Sequence, residues 1–219
     1  KFLQYVIDHR ILRFGDFVLK SGRKSPYFFN AGLFNTGEKL SFLADCYADM
    51  VMHSGLEFDV IFGPAYKGIP LASATATALA RNYQIDKPYC FNRKEKKIHG
   101  EGGNLVGADL KGKALIIDDV ITAGTAIREA AEIIKNSGAT LSGMLLAMDR
   151  QEKSPSGIST IQEIKKDFNV TELEIVNETP KANFIFTPST NLIDKFILSA
   201  CGAIISTFIP KNSLKNLLN

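Results

Sequence analysis

Two adjacent carboxylates, Asp118 and Asp119, close an apolar run, and a turn of small residues follows them. Leu115, Ile116 and Ile117 read as a buried parallel strand that ends at this diacid. Thr122, Ala123, Gly124, Thr125 and Ala126 form the turn, and a helical pattern occupies 127–135. A strand feeding such a turn into a helix N-terminus offers unpaired backbone N–H groups and a positive dipole end, which suits a phosphate. Thr122 and Thr125 add hydroxyl donors, and Gly124 lets the backbone approach closely. The aspartates do not suit the phosphate itself; they suit vicinal hydroxyls, a bound Mg²⁺, or both. Phosphate donors beside a diacid describe a phosphorylated sugar held by both its ends. No G-x-x-x-x-G-K-[ST] occurs, so this is not a Walker A loop. The plain alternative is a strand–helix unit with surface-exposed aspartates and no ligand.

Other segments add anion-binding character. Gly63 and Gly68 bound a second loop between a candidate strand and a helix, with Lys67 as a mobile cation. Such a loop suits a pyrophosphate, and in an open parallel sheet two loops at neighbouring strand ends share one crevice. Residues 93–103 are basic, polar and glycine-terminated, in the manner of an active-site lid. Arg93, Lys94, Lys97 and His99 can close over a polyanion, with Gly100, Gly102 and Gly103 as hinges; a solvated surface loop is the competing reading. His99 can donate a proton or only carry part of the charge. Near the N-terminus, Lys20 stands before Phe28 and Phe29, a cation beside flat apolar surface that suits a planar anionic ring. Arg150 follows an apolar run and can grip a carboxylate or ring carbonyl in bidentate fashion, or pair with Asp149.

These side chains need a scaffold that gathers strand ends. Candidate strands at 59–62, 88–92, 114–118 and 142–148, with a weaker one at 172–176, alternate with helical patterns at 39–53, 69–82, 123–136 and 159–167. Gly138 reads as a helix stop. The rhythm predicts an α/β fold with a parallel sheet flanked by helices. The chain of 219 residues is expected to form a single domain: a cap at about 1–40, an α/β core at 41–176 and an atypical C-terminal segment at 177–219. A net charge of +3, with scattered basic residues, argues against nucleic-acid binding as the main function. Cys46, Cys90 and Cys201 show no CxxC pairing, which predicts a reducing cytoplasm and no zinc site. No signal peptide is expected, although the chain opens on Lys1 and not on methionine. The longest weakly polar run, 196–209, is too short for a membrane span of about 20 residues and reads as a buried element.

The diacid segment resembles the phosphoribosyl pyrophosphate motif of the type I phosphoribosyltransferases. The block around Lys20, Ser21, Gly22, Arg23, Ser25, Pro26, Tyr27 and Phe28, with the basic lid, narrows the resemblance to the orotate phosphoribosyltransferase family in its bacterial form. It extends over about 2–168, with the motifs in the family's order. The resemblance implies the type I fold with an N-terminal hood over the sheet's C-terminal edge. It implies a Mg²⁺-dependent reaction of orotate with phosphoribosyl pyrophosphate, giving orotidine 5′-monophosphate and pyrophosphate in pyrimidine biosynthesis. By carry-over, substrate binding covers Asp118, Asp119, Val120, Ile121, Thr122, Ala123, Gly124, Thr125 and Ala126, the aspartates on the ribose hydroxyls and the turn on the 5′-phosphate. Tyr66, Lys67 and Arg93 are expected on pyrophosphate, Lys20 near both substrates, Phe28 and Phe29 around orotate, and Thr122 and Arg150 on its polar edge. Lys94, Lys97 and His99 are expected to cross into a neighbouring subunit's site, making a homodimer necessary; with Asp118 and Asp119 they are the catalytic set. The metal is expected to be held mainly by substrate and water. From about 169 the match weakens, so the tail departs from the family pattern. A purine phosphoribosyltransferase would share the diacid but not the Lys20 block. A regulator that senses phosphoribosyl pyrophosphate would need a DNA-reading module, and the first forty residues carry no basic recognition-helix pattern.

Overall fold

The computed structural model describes residues 2–19, 22, 24–95, 104–121, 124–149, 157–158 and 160–168. The described residues fall into two compact units, one of residues up to 36 and the other from residue 37 onward. In the former, α1 (Phe2–Asp8) precedes an antiparallel hairpin of β1 (Leu12–Val18) and β2 (Lys24–Phe29). The register slips between Phe14 and Phe17, where Gly15 adopts φ +146°, a conformation open to glycine at a bulge. The N-terminal segment is thus a helix and a hairpin, outside the βα rhythm.

The larger unit begins with α2 (Gly37–Ser54). It continues through β3 (Val60–Gly63), α3 (Gly68–Tyr83), β4 (Tyr89–Asn92), β5 (Leu105–Gly107), β6 (Lys113–Ile121), α4 (Thr125–Asn136), β7 (Thr140–Asp149) and α5 (Thr160–Phe168). The sheet order is β5-β4-β3-β6-β7. The pairs β3–β4, β3–β6 and β6–β7 are parallel, and only the short β5 runs antiparallel, on β4. The expected parallel sheet and its helices are present. Gly138, at φ +78°, stops α4 with its N–H donated to Lys135 O at 3.0 Å.

Two features differ from the sequence expectation. The strand expected to end at the diacid continues to Ile121, because Val120 and Ile121 keep their pairing with Met148 and Asp149 of β7. The charges interrupt the apolar run without interrupting the ladder. The edge strand β5 has only three residues, too few to show a period of two. The candidate strand 172–176 and everything after residue 168 lie outside the described residues.

The direction of the crossovers explains where a ligand can sit. From β3 the chain passes through α3 to β4 on one side; from β6 it passes through α4 to β7 on the other. Crossovers of one hand that move in opposite directions place their helices on opposite faces and leave a crevice between β3 and β6. The core agrees. Val60, Phe62, Ala114, Ile116, Met144 and Leu146 pack with Ile127 and Ile134 of α4 and Ile161 and Ile164 of α5. Alternation then sends Ile61, Leu115 and Ile117, also buried, to the opposite face. Among the described residues no helix is long and apolar enough to cross a membrane. Neither Cys46 nor Cys90 is in a disulfide, and burial pushes the Cys90 thiol up to about 11.

Candidate active site

Both loops expected to bind anions leave the sheet at the crevice. The first follows β3. Gly63 and Gly68 clamp it, for a Cβ on Gly63 would lie 2.4 Å from Gly68 O and one on Gly68 would lie 2.8 Å from Ile117 O. Only glycine permits that approach, and Gly68 N donates to Pro64 O at 2.9 Å to close the turn. The Ala65–Tyr66 peptide is cis. Tyr66 stands 70% exposed at the tip.

The second loop follows β6. Asp118 and Asp119 are both buried, which removes the reading of solvent-facing acids. Each carboxylate folds back onto the next amide: Asp119 N donates to Asp118 Oδ1 at 2.9 Å, and Val120 N donates to Asp119 Oδ1 at 2.7 Å. Asp119 Oδ2 accepts from Lys67 Nζ at 2.5 Å, an ion pair that ties the two loops together. Burial first, and then the Asp119 charge, raise the Asp118 carboxyl to about 7, against weaker opposition from the Asp119 amide and Lys67. Two acids held this close cannot both ionise freely. Gly124, at φ +75°, is the N-cap of α4 and, having no side chain, offers the first amides of the helix no acceptor. Helix α5 backs this cap, since a Cβ on Gly124 would lie 2.7 Å from Thr160 Cγ2 and 2.9 Å from Ile164 Cδ1. Thr125 and Ala126, at the start of α4, are exposed.

Arg93 and Lys94 follow β4, the neighbour of β3, so a third strand end contributes cations. Arg93 N donates to Asn104 O at 2.6 Å, which fastens both ends of the basic segment. Lys94 Nζ lies 3.4 Å from Glu129 Oε2 of α4. Both cations line a hollow of about 700 Å³ with Asn92, Asn104 and Arg128. In the N-terminal unit Phe28 and Phe29 leave β2 on opposite faces. Phe29 is buried and lies near Phe34, with ring centroids 6.5 Å apart; Phe28 is half-buried beside Phe17, under the Arg13 guanidinium at 5.6 Å. Lys20, Lys97, His99, Thr122, Ala123 and Arg150 lie outside the described residues.

Two residues of the site were not singled out in the sequence. Tyr47, buried on α2, donates its hydroxyl to Asp118 O at 2.8 Å. Burial, and then the charges of Asp119 and Asp118, hold its phenol well above the usual range, so it stays a neutral donor. Asn92, buried at the end of β4, accepts from Ala65 N at 2.8 Å through Oδ1. Its signal was an amide closing an apolar strand just before a basic loop. Tyr47 had only a hydroxyl on an otherwise apolar helical stripe.

The phosphoribosyl transferase domain matches residues 41–176, the unit that carries the crevice. Orotate phosphoribosyltransferase of Escherichia coli O139:H28 is 59% identical over 176 residues, 80% of this chain and 83% of the relative. That of Aliivibrio fischeri is 58% identical over 185 residues, 84% of this chain and 87% of the relative. The chain belongs to the orotate phosphoribosyltransferase family. The crystal structure of the Francisella tularensis orotate phosphoribosyltransferase superposes with a TM-score of 0.70 at 50% identity, covering 77% of this chain and 81% of that one. The chain therefore transfers the 5-phosphoribosyl group from phosphoribosyl pyrophosphate to orotate in pyrimidine biosynthesis, and the purine and regulatory alternatives fall away.

Proposed function

We propose that the two loops at the crevice divide phosphoribosyl pyrophosphate between them. Asp118 and Asp119 take the ribose hydroxyls. The turn at 122–126, entered through Val120 and Ile121, takes the 5′-phosphate on the first amides of α4. Tyr66, Lys67 and Arg93 take the pyrophosphate. Orotate rests against the Phe28 ring, with Phe29 behind it, and Lys20, Thr122 and Arg150 read its charged and polar edges. Lys94, Lys97 and His99 of one subunit bring positive charge to the site of the other, so the working unit is a homodimer. Cys46 and Cys90, neither in a disulfide, support a reducing, cytoplasmic setting. The observation that carries the reading is the Lys67–Asp119 ion pair, which joins the cation of one loop to the diacid of the other.

The donor set fits Mg²⁺, because Asp118 and Asp119 are hard oxygen donors beside the loop assigned to pyrophosphate. Asp118 and Asp119 would hold it through the ribose hydroxyls and water, and with it bound the site gains positive charge against the departing pyrophosphate. The hard step is loss of pyrophosphate from the anomeric carbon, which leaves positive charge on the sugar. The buried diacid faces that cation, while Lys67 and Arg93 meet the charge growing on the leaving group. Deprotonated orotate brings its own ring nitrogen as nucleophile, so the protein supplies none. Closure of the basic segment excludes water from the sugar cation.

The test follows orotate absorbance with phosphoribosyl pyrophosphate, first with Mg²⁺ and then with the metal chelated. Metal-dependent loss of orotate that Asp119→Asn suppresses is expected. Undiminished turnover in chelator, or in the variant, overturns the assignment.

A further inference from the structure

We propose that Asn92 is a positioning residue for pyrophosphate, acting by fixing the loop that carries Tyr66 and Lys67. The inference rests on the reading above, that this loop binds pyrophosphate. Asn92 is the last residue of β4, beside β3 in the sheet, and its side chain is 8% exposed. A backbone N–H can only donate, so the atom 2.8 Å from Ala65 N is the amide oxygen and the orientation of the side chain is settled. The opposite end of the amide then points along its own backbone, with Nδ2 3.5 Å from Arg93 O. One buried amide therefore stands between the loop of Tyr66 and Lys67 and the backbone of Arg93, the groups assigned to the leaving group.

The rest of the loop is held by contacts that do not reach Ala65. Its ends are clamped by Gly63 and Gly68, and Gly68 N is bonded to Pro64 O. Tyr66 and Lys67 are exposed, so no core packing orients them. Beside the Lys67–Asp119 ion pair of the side chain, the Asn92–Ala65 bond ties the backbone of this loop to the neighbouring strand β4. Without it the amide of Ala65 loses its acceptor and the tip gains freedom that pyrophosphate binding must then remove.

The experiment compares Asn92→Ala, Lys67→Ala and the parent enzyme. Pyrophosphate and ribose 5-phosphate are titrated calorimetrically, alongside KM for both substrates and a thermal melt. For Asn92→Ala the pyrophosphate dissociation constant and KM for phosphoribosyl pyrophosphate rise about tenfold. Ribose 5-phosphate affinity and KM for orotate stay within about twofold of the parent, below the size of one lost hydrogen bond. A purely structural role weakens all of these together with the melt, and that outcome overturns the inference. If Lys67→Ala weakens pyrophosphate while Asn92→Ala does not, the positioning role alone fails. If Lys67→Ala leaves pyrophosphate untouched, the loop assignment fails and the inference falls with it. Should Asn92→Ala not fold, Asn92→Ser keeps a polar group in the site but is too short to reach Ala65. The same selective loss is then expected, and normal pyrophosphate binding by Asn92→Ser overturns the role.

Discussion

The two loops of the crevice are built on opposite plans. In the Lys67–Asp119 pair the lysine side chain is 67% exposed and the aspartate 9%. The acidic loop is an extension of β6, paired with β7 through to Ile121, and each carboxylate is locked onto a following amide. The basic loop is fixed in its backbone by glycines and by Asn92, yet it carries its cation on an exposed stem. The negative half is preorganised and desolvated; the positive half is exposed to solvent. The difference suits a site that must hold the sugar in one geometry and also release a highly charged product. In the ligand-free state Lys67 offsets the diacid, and under the proposed assignment pyrophosphate offers it a stronger partner.

The contrast breaks first at the pair itself. Under the proposed assignment Asp119→Asn removes a charge that faces the sugar cation, and kcat/KM is expected to fall on the order of a hundredfold or more in steady-state kinetics. Lys67→Ala deletes the exposed partner. Its melting behaviour is expected to change by less than about 1 kcal/mol, because an ion pair with one exposed member contributes little. The pair thus separates function from stability, and equal stability losses in both variants would refute the division into a buried and an exposed half.

Asp118 sharpens the comparison through pH. Its folded pKa of about 7 lies above the ordinary value of 3.8, so the native state binds the proton more tightly than the unfolded chain. Stability is full below about pH 4, declines as pH rises toward 7, and is level above. The buried Asp118 carboxyl therefore destabilises the fold at working pH by an amount on the order of 4 kcal/mol. Asp118→Asn in ligand-free protein is expected to melt higher than the parent at pH 8 and to lose most of this slope, while losing activity. A parent whose denaturant midpoint is flat between pH 4 and 8 would rule out the buried, partly protonated acid.

The same division governs how much could be read from the chain. Leu115, Ile116 and Ile117 are a continuous apolar run because β6 is covered on both faces, so the strand and its direction were legible. The diacid, Gly124 and the glycines around Lys67 were legible because their chemistry is local and a turn constrains residue type. The extension of β6 to Ile121 was not, since charged residues mask a strand whose pairing comes from β7. Strand β5 was too short, and the hairpin at 12–29 is irregular at Gly15. Tyr47 and Asn92 escaped for a different reason. Their partners lie 71 and 27 positions away, and neither spacing leaves a periodic mark.

Tyr47 gives the smallest of the expected effects and tests whether the acidic loop owes its rigidity to the helix behind it. The hydroxyl is buried, bonded to Asp118 O, and held protonated by its surroundings. Tyr47→Phe keeps the ring in its packing and deletes one donor, leaving a backbone carbonyl without its partner. The expected cost is about 1–2 kcal/mol in a denaturant melt. KM for phosphoribosyl pyrophosphate should rise by no more than severalfold, because β6 remains bonded to β7 on one side and β3 on the other. A stability loss with unchanged KM would assign the rigidity of the diacid to the sheet alone. A KM increase as large as that of Lys67→Ala would mean that the acidic loop is movable, and that α2 holds it in place.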